Sequence, residues 1–156
     1  MEYIKREIGI VDVKFGSNVN VVHPVNLYGC EIGDDCFIGP FVEIQKSVKI
    51  GRNCKIQSHA FICELVTIGE NCFISHGVKF VNDKFIKGKP AGGKRELWGE
   101  TKIGNHVSIG TNATILPVTI ADHVVIGAGA VVTKDIIKKG IYAGNPARFV
   151  KDIAQE

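Results

Sequence analysis

Large aliphatic residues recur at every sixth position through the first half of the chain: Ile32, Ile38, Ile44, Ile50, Ile56, Ile62, Ile68 and Ile74, with Phe80 continuing the series. Four residues after each stands a smaller apolar side chain, at Cys36, Val42, Val48, Cys54, Ala60, Val66, Cys72 and Val78. Neither a helix nor a hairpin strand has period six, since a helix would send positions i and i+6 to different faces. A short strand followed by a corner, repeated, returns each aliphatic residue to the same inward site. Glycine often follows the aliphatic position, as in Ile32-Gly33, Ile38-Gly39, Ile50-Gly51 and Ile68-Gly69, with Asp34, Asp35, Arg52 and Asn53 in the turn. The pattern therefore predicts a corner every six residues, eased by glycine.

After an interruption the period returns at Ile103, Ile109 and Ile115, slips by one residue within ILPVTI, and continues at Ile120, Ile126 and Val132. Its small partners are Val107, Ala113, Val118, Val124 and Ala130, and one tighter corner is expected at the slip. Three hexads, about 18 residues, complete one coil of a parallel β-helix, a triangular prism whose coils stack roughly 4.8 Å apart. The hexads predict about five coils over residues 32–82 and 103–137, preceded by an irregular coil or two in 1–31 and followed by a short extension, 138–156. The fold class is all-β, and 1–156 reads as one domain.

Composition narrows the function classes. A 156-residue chain with 45% hydrophobic and 22% charged residues suits one soluble core. A net charge of +3, without an aromatic-rich basic motif, does not call for nucleic acid. The charged start MEYIKREIG resembles no signal peptide and no apolar stretch is long enough for a span, so a cytoplasmic location without membrane association is expected. Five cysteines without a CxxC pair indicate neither a zinc ribbon nor a disulfide framework. Cys36, Cys54 and Cys72 share the small inward position of successive coils, whereas Cys63 falls in a turn and is expected to be partly exposed.

Between Phe80 and Ile103 the period fails, and residues 83–102 are read as a protruding loop holding the only tryptophan. Loops of this length without a pattern of their own are functional or floppy. Departure directly at Asn82-Asp83, with Phe85, Leu97 and Trp98 in need of a surface, favours the functional reading, the surface being a neighbouring subunit. Lys84, Lys87, Lys89, Lys94 and Arg95 suit a nucleotide diphosphate, the alternative being a solvated basic face. Counting by coils places Glu64 at the corner of Asn82, making a polar cluster of Glu64, Asn82 and Asp83; a bare turn cap is the alternative reading of Asn-Asp. His59 and His76 are expected to approach each other at another corner, to which Thr111 and Ala128 also belong.

The IGxxCx, IGxNAT and IGAGAV hexads resemble those of the hexapeptide-repeat acyltransferases. HGVKFVND, the basic loop, SIGTNATILPVTI and GAGAVVTKD…AGNPARFV look like the nucleotide-linked amino-sugar N-acetyltransferases among them. The resemblance implies a left-handed helix, a homotrimer with sites between subunits, and transfer of acetyl from acetyl-CoA to the 3-amino group of a dTDP- or UDP-linked sugar for surface-glycan biosynthesis. It implies catalytic roles for Asn82, Asp83 and His76, substrate contacts from Glu64, His59, Lys84 and Trp98, and cofactor contacts from Gly110, Thr111, Ala128, Thr133, Lys134, Arg148 and Lys151. Relatives that acylate hydroxyls use a histidine near the interruption; here Asn82-Asp83 stands instead, which suits an amine that already offers a lone pair. No metal is expected, because the histidine pair five residues apart of the carbonic anhydrase-like relatives is missing. The alternatives are O-acetylation of a saccharide and a non-catalytic scaffold.

Overall fold

The computed structural model describes residues 3–5 and 7–154, so the outermost parts of the expected first coils and of the extension, residues 1, 2, 6, 155 and 156, lie outside the described residues. Short strands build three sheets of seven, six and eight members, and every strand but the last runs parallel to those one coil before and after it. The first sheet includes Glu43–Ile44, Phe61–Ile62, Lys79–Phe80 and Thr114–Ile115; the second Lys49–Ile50, Val66–Ile68 and Thr101–Ile103; the third Lys55–Ile56, Phe73–Ile74 and Ser108–Ile109. A parallel β-helix of about seven turns results, as the hexad pattern requires.

Register explains the period. Ile62 pairs with Ile44 and Ile74 with Ile56 and Ile109, so identical side chains stack along each inner face. Ile38, Ile44, Ile56, Ile62 and Ile74 are fully buried. Each is worth roughly 1.5–3 kcal/mol relative to exposure, and the ladder hydrogen bonds are met by the coils above and below.

The glycines serve a different purpose from the one their frequency suggests. Those after the aliphatic position do not adopt positive φ; instead a Cβ at Gly51 would lie 2.7 Å from the carbonyl carbon of Gly69, and one at Gly110 2.5 Å from the nitrogen of Ala128. Coil spacing excludes a side chain there. The left-handed turn residue lies two positions on, where Asp35, Asn53, Asn71, His106 and His123 have φ of 54–57°, a region that Asn, Asp and His tolerate better than other residues.

Departures from six residues per side are confined to one corner, that between the first and second sheets. Ile10 pairs with Leu27, Phe15 with Ile32 and Val21 with Ile38, coils of 17 residues whose short sides run from Ile10 to Phe15 and from Leu27 to Ile32. The described part of segment 1–31 is thus regular from Ile10 onward, its inward residues displaced by that shortening. The slip at ILPVTI lies at the same corner, with Ile103 beside Ile120, and so does the long loop. The extension first adds a strand, Gly140–Ala143, parallel to Val124–Ile126, then turns at Gly144 so that Arg148–Lys151 returns antiparallel.

Cys36, Cys54 and Cys72 stack as expected, the Cys54 and Cys72 amides donating to the sulfur one coil below at 3.4 Å. Their thiols donate to carbonyls of Gly51, Gly69 and Gly104 at 3.1–3.2 Å. Cys63 departs from expectation: it is only 2% exposed. The corner chain between Ile62 and Val66 turns it inward, and burial pushes its thiol up to about 12.

Candidate functional site

The corner between the first and second sheets gathers the polar cluster expected from coil counting. Asn82 Nδ2 donates to the Glu64 carbonyl at 3.3 Å, and the Asn82 carbonyl accepts the Gly99 amide at 2.8 Å. Asn82 therefore forms the neck of the loop. Asp83 braces the next stretch, since Oδ1 accepts the Phe85 amide at 2.9 Å and Oδ2 the Ala91 amide at 2.7 Å. Each oxygen retains a second lone pair. Gly99 lies so close to Pro117 that a Cβ would meet the proline ring at 2.5 Å, seating the returning chain on the tight corner above.

Glu64 lies beneath this neck with 9% of its surface exposed. Lys46 Nζ is 3.6 Å from Oε1 and Arg95 Nε 3.7 Å from Oε2. Oε2 is buried without any hydrogen-bond partner. Arg95, which the sequence marked only as one of the loop cations, comes back from the loop and also donates to Ser47 Oγ at 2.8 Å. Nothing in the spacing pointed to that return, because it depends on the loop's own path. Tyr28, two coils below Glu64, has its hydroxyl pKa raised by burial and by the Glu43 and Glu64 charges. Lys84 is exposed, and Trp98 is half-buried at the end of the short helical turn Arg95–Leu97.

The histidines occupy the other edge of the first sheet. His76 Nδ1 lies 2.8 Å from Ser58 Oγ, while His59 stacks on Phe41 with ring centroids 4.9 Å apart. The two are neighbours at one corner but rest on different supports. Thr111 joins that edge through Ser75 Oγ at 2.9 Å, and Gly110 and Ala128 stack there in successive coils. Six extended residues separate His76 from Asn82, at most about 20 Å. Within one chain the expected residues thus form two groups on opposite edges of one face.

The expected anion-binding residues divide again. Lys134 and Arg148 line one 300 Å³ depression with Val132, Tyr142 and Phe149 at the carboxyl end of the prism. Thr133 precedes Lys134 on the exposed corner, and Lys151, exposed at the end of the returning strand opposite Ile141, does not line the depression. No group of three metal-ligating side chains occurs among the described residues, and no helix is long and apolar enough to cross a membrane.

The bacterial transferase hexapeptide (six repeats) profile matches residues 29–64, and the hexapeptide repeat of succinyl-transferase matches residues 100–134. Both matched segments are hexapeptide repeats, and both lie within the β-helix. A variant of AntD, an N-acyltransferase from Bacillus cereus, solved in complex with dTDP and coenzyme A, superposes with a TM-score of 0.77 at 24% identity, covering 89% of this chain and 83% of AntD. A hexapeptide transferase family protein from Anaplasma phagocytophilum gives 0.74 at 16% identity over 94% and 84% of the two chains. A maltose O-acetyltransferase from Clostridium difficile 630 gives 0.57 at 27% identity over 91% and 70%. No curated protein matches by sequence. The two matched repeat segments lie on either side of Asn82 and the loop it begins.

Proposed function

We propose that the protein transfers an acetyl group from acetyl-CoA to the 3-amino group of a dTDP- or UDP-linked sugar, in the making of surface polysaccharide. The observation that carries this reading is Glu64: a buried carboxylate under the loop neck, one oxygen unpartnered and a guanidinium beside it. Lys46 and Arg95 already balance the Glu64 charge, so what Oε2 lacks is a hydrogen-bond donor, and a neutral amine supplies an N–H there while keeping its lone pair for attack. The fold shared with AntD, described with dTDP and coenzyme A, supports the acyl donor and the nucleotide.

In this reading the sugar ammonium gives one proton to solvent, the neutral amine donates to Glu64 Oε2, and Asn82 orients it towards the thioester. The nitrogen attacks the carbonyl carbon, the C–N bond forms as the C–S bond breaks, and the departing thiolate takes up the proton the nitrogen releases. Asp83 accepts a hydrogen bond from the amine through its remaining lone pairs while still bracing the loop. His76, fixed by Ser58, and His59 belong to the opposite edge, so they reach the same substrate only from a neighbouring subunit. A homotrimer with shared sites meets that need, and exposed Phe41 and Phe73 offer apolar surface for it. Thr111 and Ala128 would line the path of the pantetheine arm beside Gly110, and Thr133, Lys134, Arg148 and Lys151 the phosphate end.

The test is a panel of dTDP- and UDP-linked 3-amino and 4-amino sugars with acetyl-CoA, following free thiol. Turnover of a 3-amino sugar is expected, with kcat/KM falling at least tenfold in Glu64→Gln. Turnover confined to hydroxyl acceptors such as maltose would favour O-acetylation and sink the amine reading.

A further inference from the structure

The loop that rises from the variable corner encloses a cavity of its own. About 370 Å³ lies inside it, bordered by Lys87, Lys89 and Lys94, with Ile86 and Leu97 as apolar wall and Asp83 at the base. That volume lies within the range of small-molecule sites. Asp83, whose two oxygens accept the Phe85 and Ala91 amides, offsets one of the three lysine charges and leaves a surplus of two around the cavity. Among the described residues none of the three lysines has an acidic partner within ion-pair distance, whereas Arg95 has Glu64.

Charge is distributed unevenly along the chain. Residues 83–102 hold six basic side chains and three acidic ones, a surplus of three, and the whole chain has a net charge of +3. The coils and the extension are therefore neutral in sum, and the excess positive charge lies in the loop. Gly92 and Gly93, with φ of 64° and 81°, keep the rim open: nothing lies within 4 Å of where a Cβ would stand on either. Three lysines without ion-pair partners around a cavity with an apolar wall, against a single Asp83 carboxylate, form a receptor for an anion attached to a flat or apolar group.

We infer that this cavity is a diphosphate cradle, in which Lys87, Lys89 and Lys94 hold the diphosphate of a nucleoside diphosphate while Ile86 and Leu97 pack against its organic end. The inference rests on the reading of the acceptor as a nucleotide-linked sugar and assigns its phosphorylated end to the loop. Coenzyme A also carries a diphosphate, but a second depression, where Lys134 and Arg148 outnumber Asp135, stands apart from the loop at the end of the prism. Two such depressions match two diphosphate-bearing substrates. The cradle is joined through Asp83 to Asn82, so an acceptor held there by its phosphates would extend its sugar towards Glu64.

Trp98, the only tryptophan, follows Leu97 directly and reports on the cavity by its fluorescence. The experiment titrates the full chain with inorganic pyrophosphate, dTDP, UDP and CoA, comparing wild type with Lys87→Gln/Lys89→Gln/Lys94→Gln. The expected result is a loss of at least tenfold in affinity for pyrophosphate and for whichever nucleoside diphosphate binds, with CoA affinity within twofold of wild type. The KM for the nucleotide amino sugar should rise with kcat nearly unchanged. Unchanged pyrophosphate affinity in the triple variant overturns the cradle, and so does a loss that falls on CoA instead. Acceptor identity is read separately, from turnover: a cradle that loses pyrophosphate binding on mutation stands even if no amino sugar is acetylated, and an active amino-sugar transferase with an unaffected triple variant loses only the cradle.

Discussion

Two corners of the prism hold to six residues per side, and the third does not. Between the second and third sheets, and between the third and first, every turn is one length, and the backbone passes so near the next coil that glycine is needed at Gly51 and Gly110. Between the first and second sheets the chain shortens at Gly29 and Pro117 and lengthens into the loop at Asn82. The constant corners are bound by neighbours above and below. The variable corner is free to change length because its chain leaves the stack, and Glu64, Asn82, Asp83 and the lysine cavity all lie there.

Length change is the sharpest way to break that comparison. One glycine inserted between Asn53 and Cys54 shifts the following strand by one residue and turns its inward set outward. Loss of cooperative unfolding by circular dichroism is expected. The same insertion between Leu116 and Pro117 merely restores six residues at a corner that already varies, at a cost of about 1 kcal/mol or less. Equal damage at both sites would remove the distinction.

Next in size is a cavity in the stack. Ile62→Ala removes a fully buried side chain packed between coils and should cost about 2–5 kcal/mol in urea unfolding. A cost below about 1 kcal/mol would mean that the coils repack, contrary to a tightly stacked interior.

The same contrast decides what could be read from sequence. The Ile32–Ile74 series was legible because each residue answers to an identical neighbour one coil away, and the Cys36, Cys54 and Cys72 column followed from it. Val21 and Leu27 keep the register of the inward column, with Ile10 and Phe15 paired below Leu27 and Ile32, but the shortening at Gly29 hid them. Glu64 beneath Asn82 could be found by counting, since both precede or begin the irregular stretch. The hold of Arg95 on Glu64 and the second job of Asp83 could not, because they depend on where a non-repeating loop returns.

A smaller effect is expected from the loop itself. Asp83→Ala frees the Phe85 and Ala91 amides, at about 1–3 kcal/mol of local order. Because the loop stands outside the stack, hydrogen exchange should speed up at Phe85 and Ala91 while the melting temperature of the coils moves by no more than about 2 °C. A large fall in melting temperature would tie the loop to the constant corners after all.

The smallest effect belongs to the thiol turned inward at the variable corner. Burial raises Cys63 from 9.0 to about 12 and Cys30 to about 11. In the unfolded chain both ionise near pH 9, so above that pH the unfolded state binds fewer protons than the folded one and stability falls. The contribution is complete below about pH 9 and is lost progressively as pH rises towards the folded values. Urea midpoints measured between pH 8 and about 10.5 should therefore decline, and more gently in Cys63→Ala than in the wild type. Identical slopes would place Cys63 in contact with water at a corner that the stack does not seal.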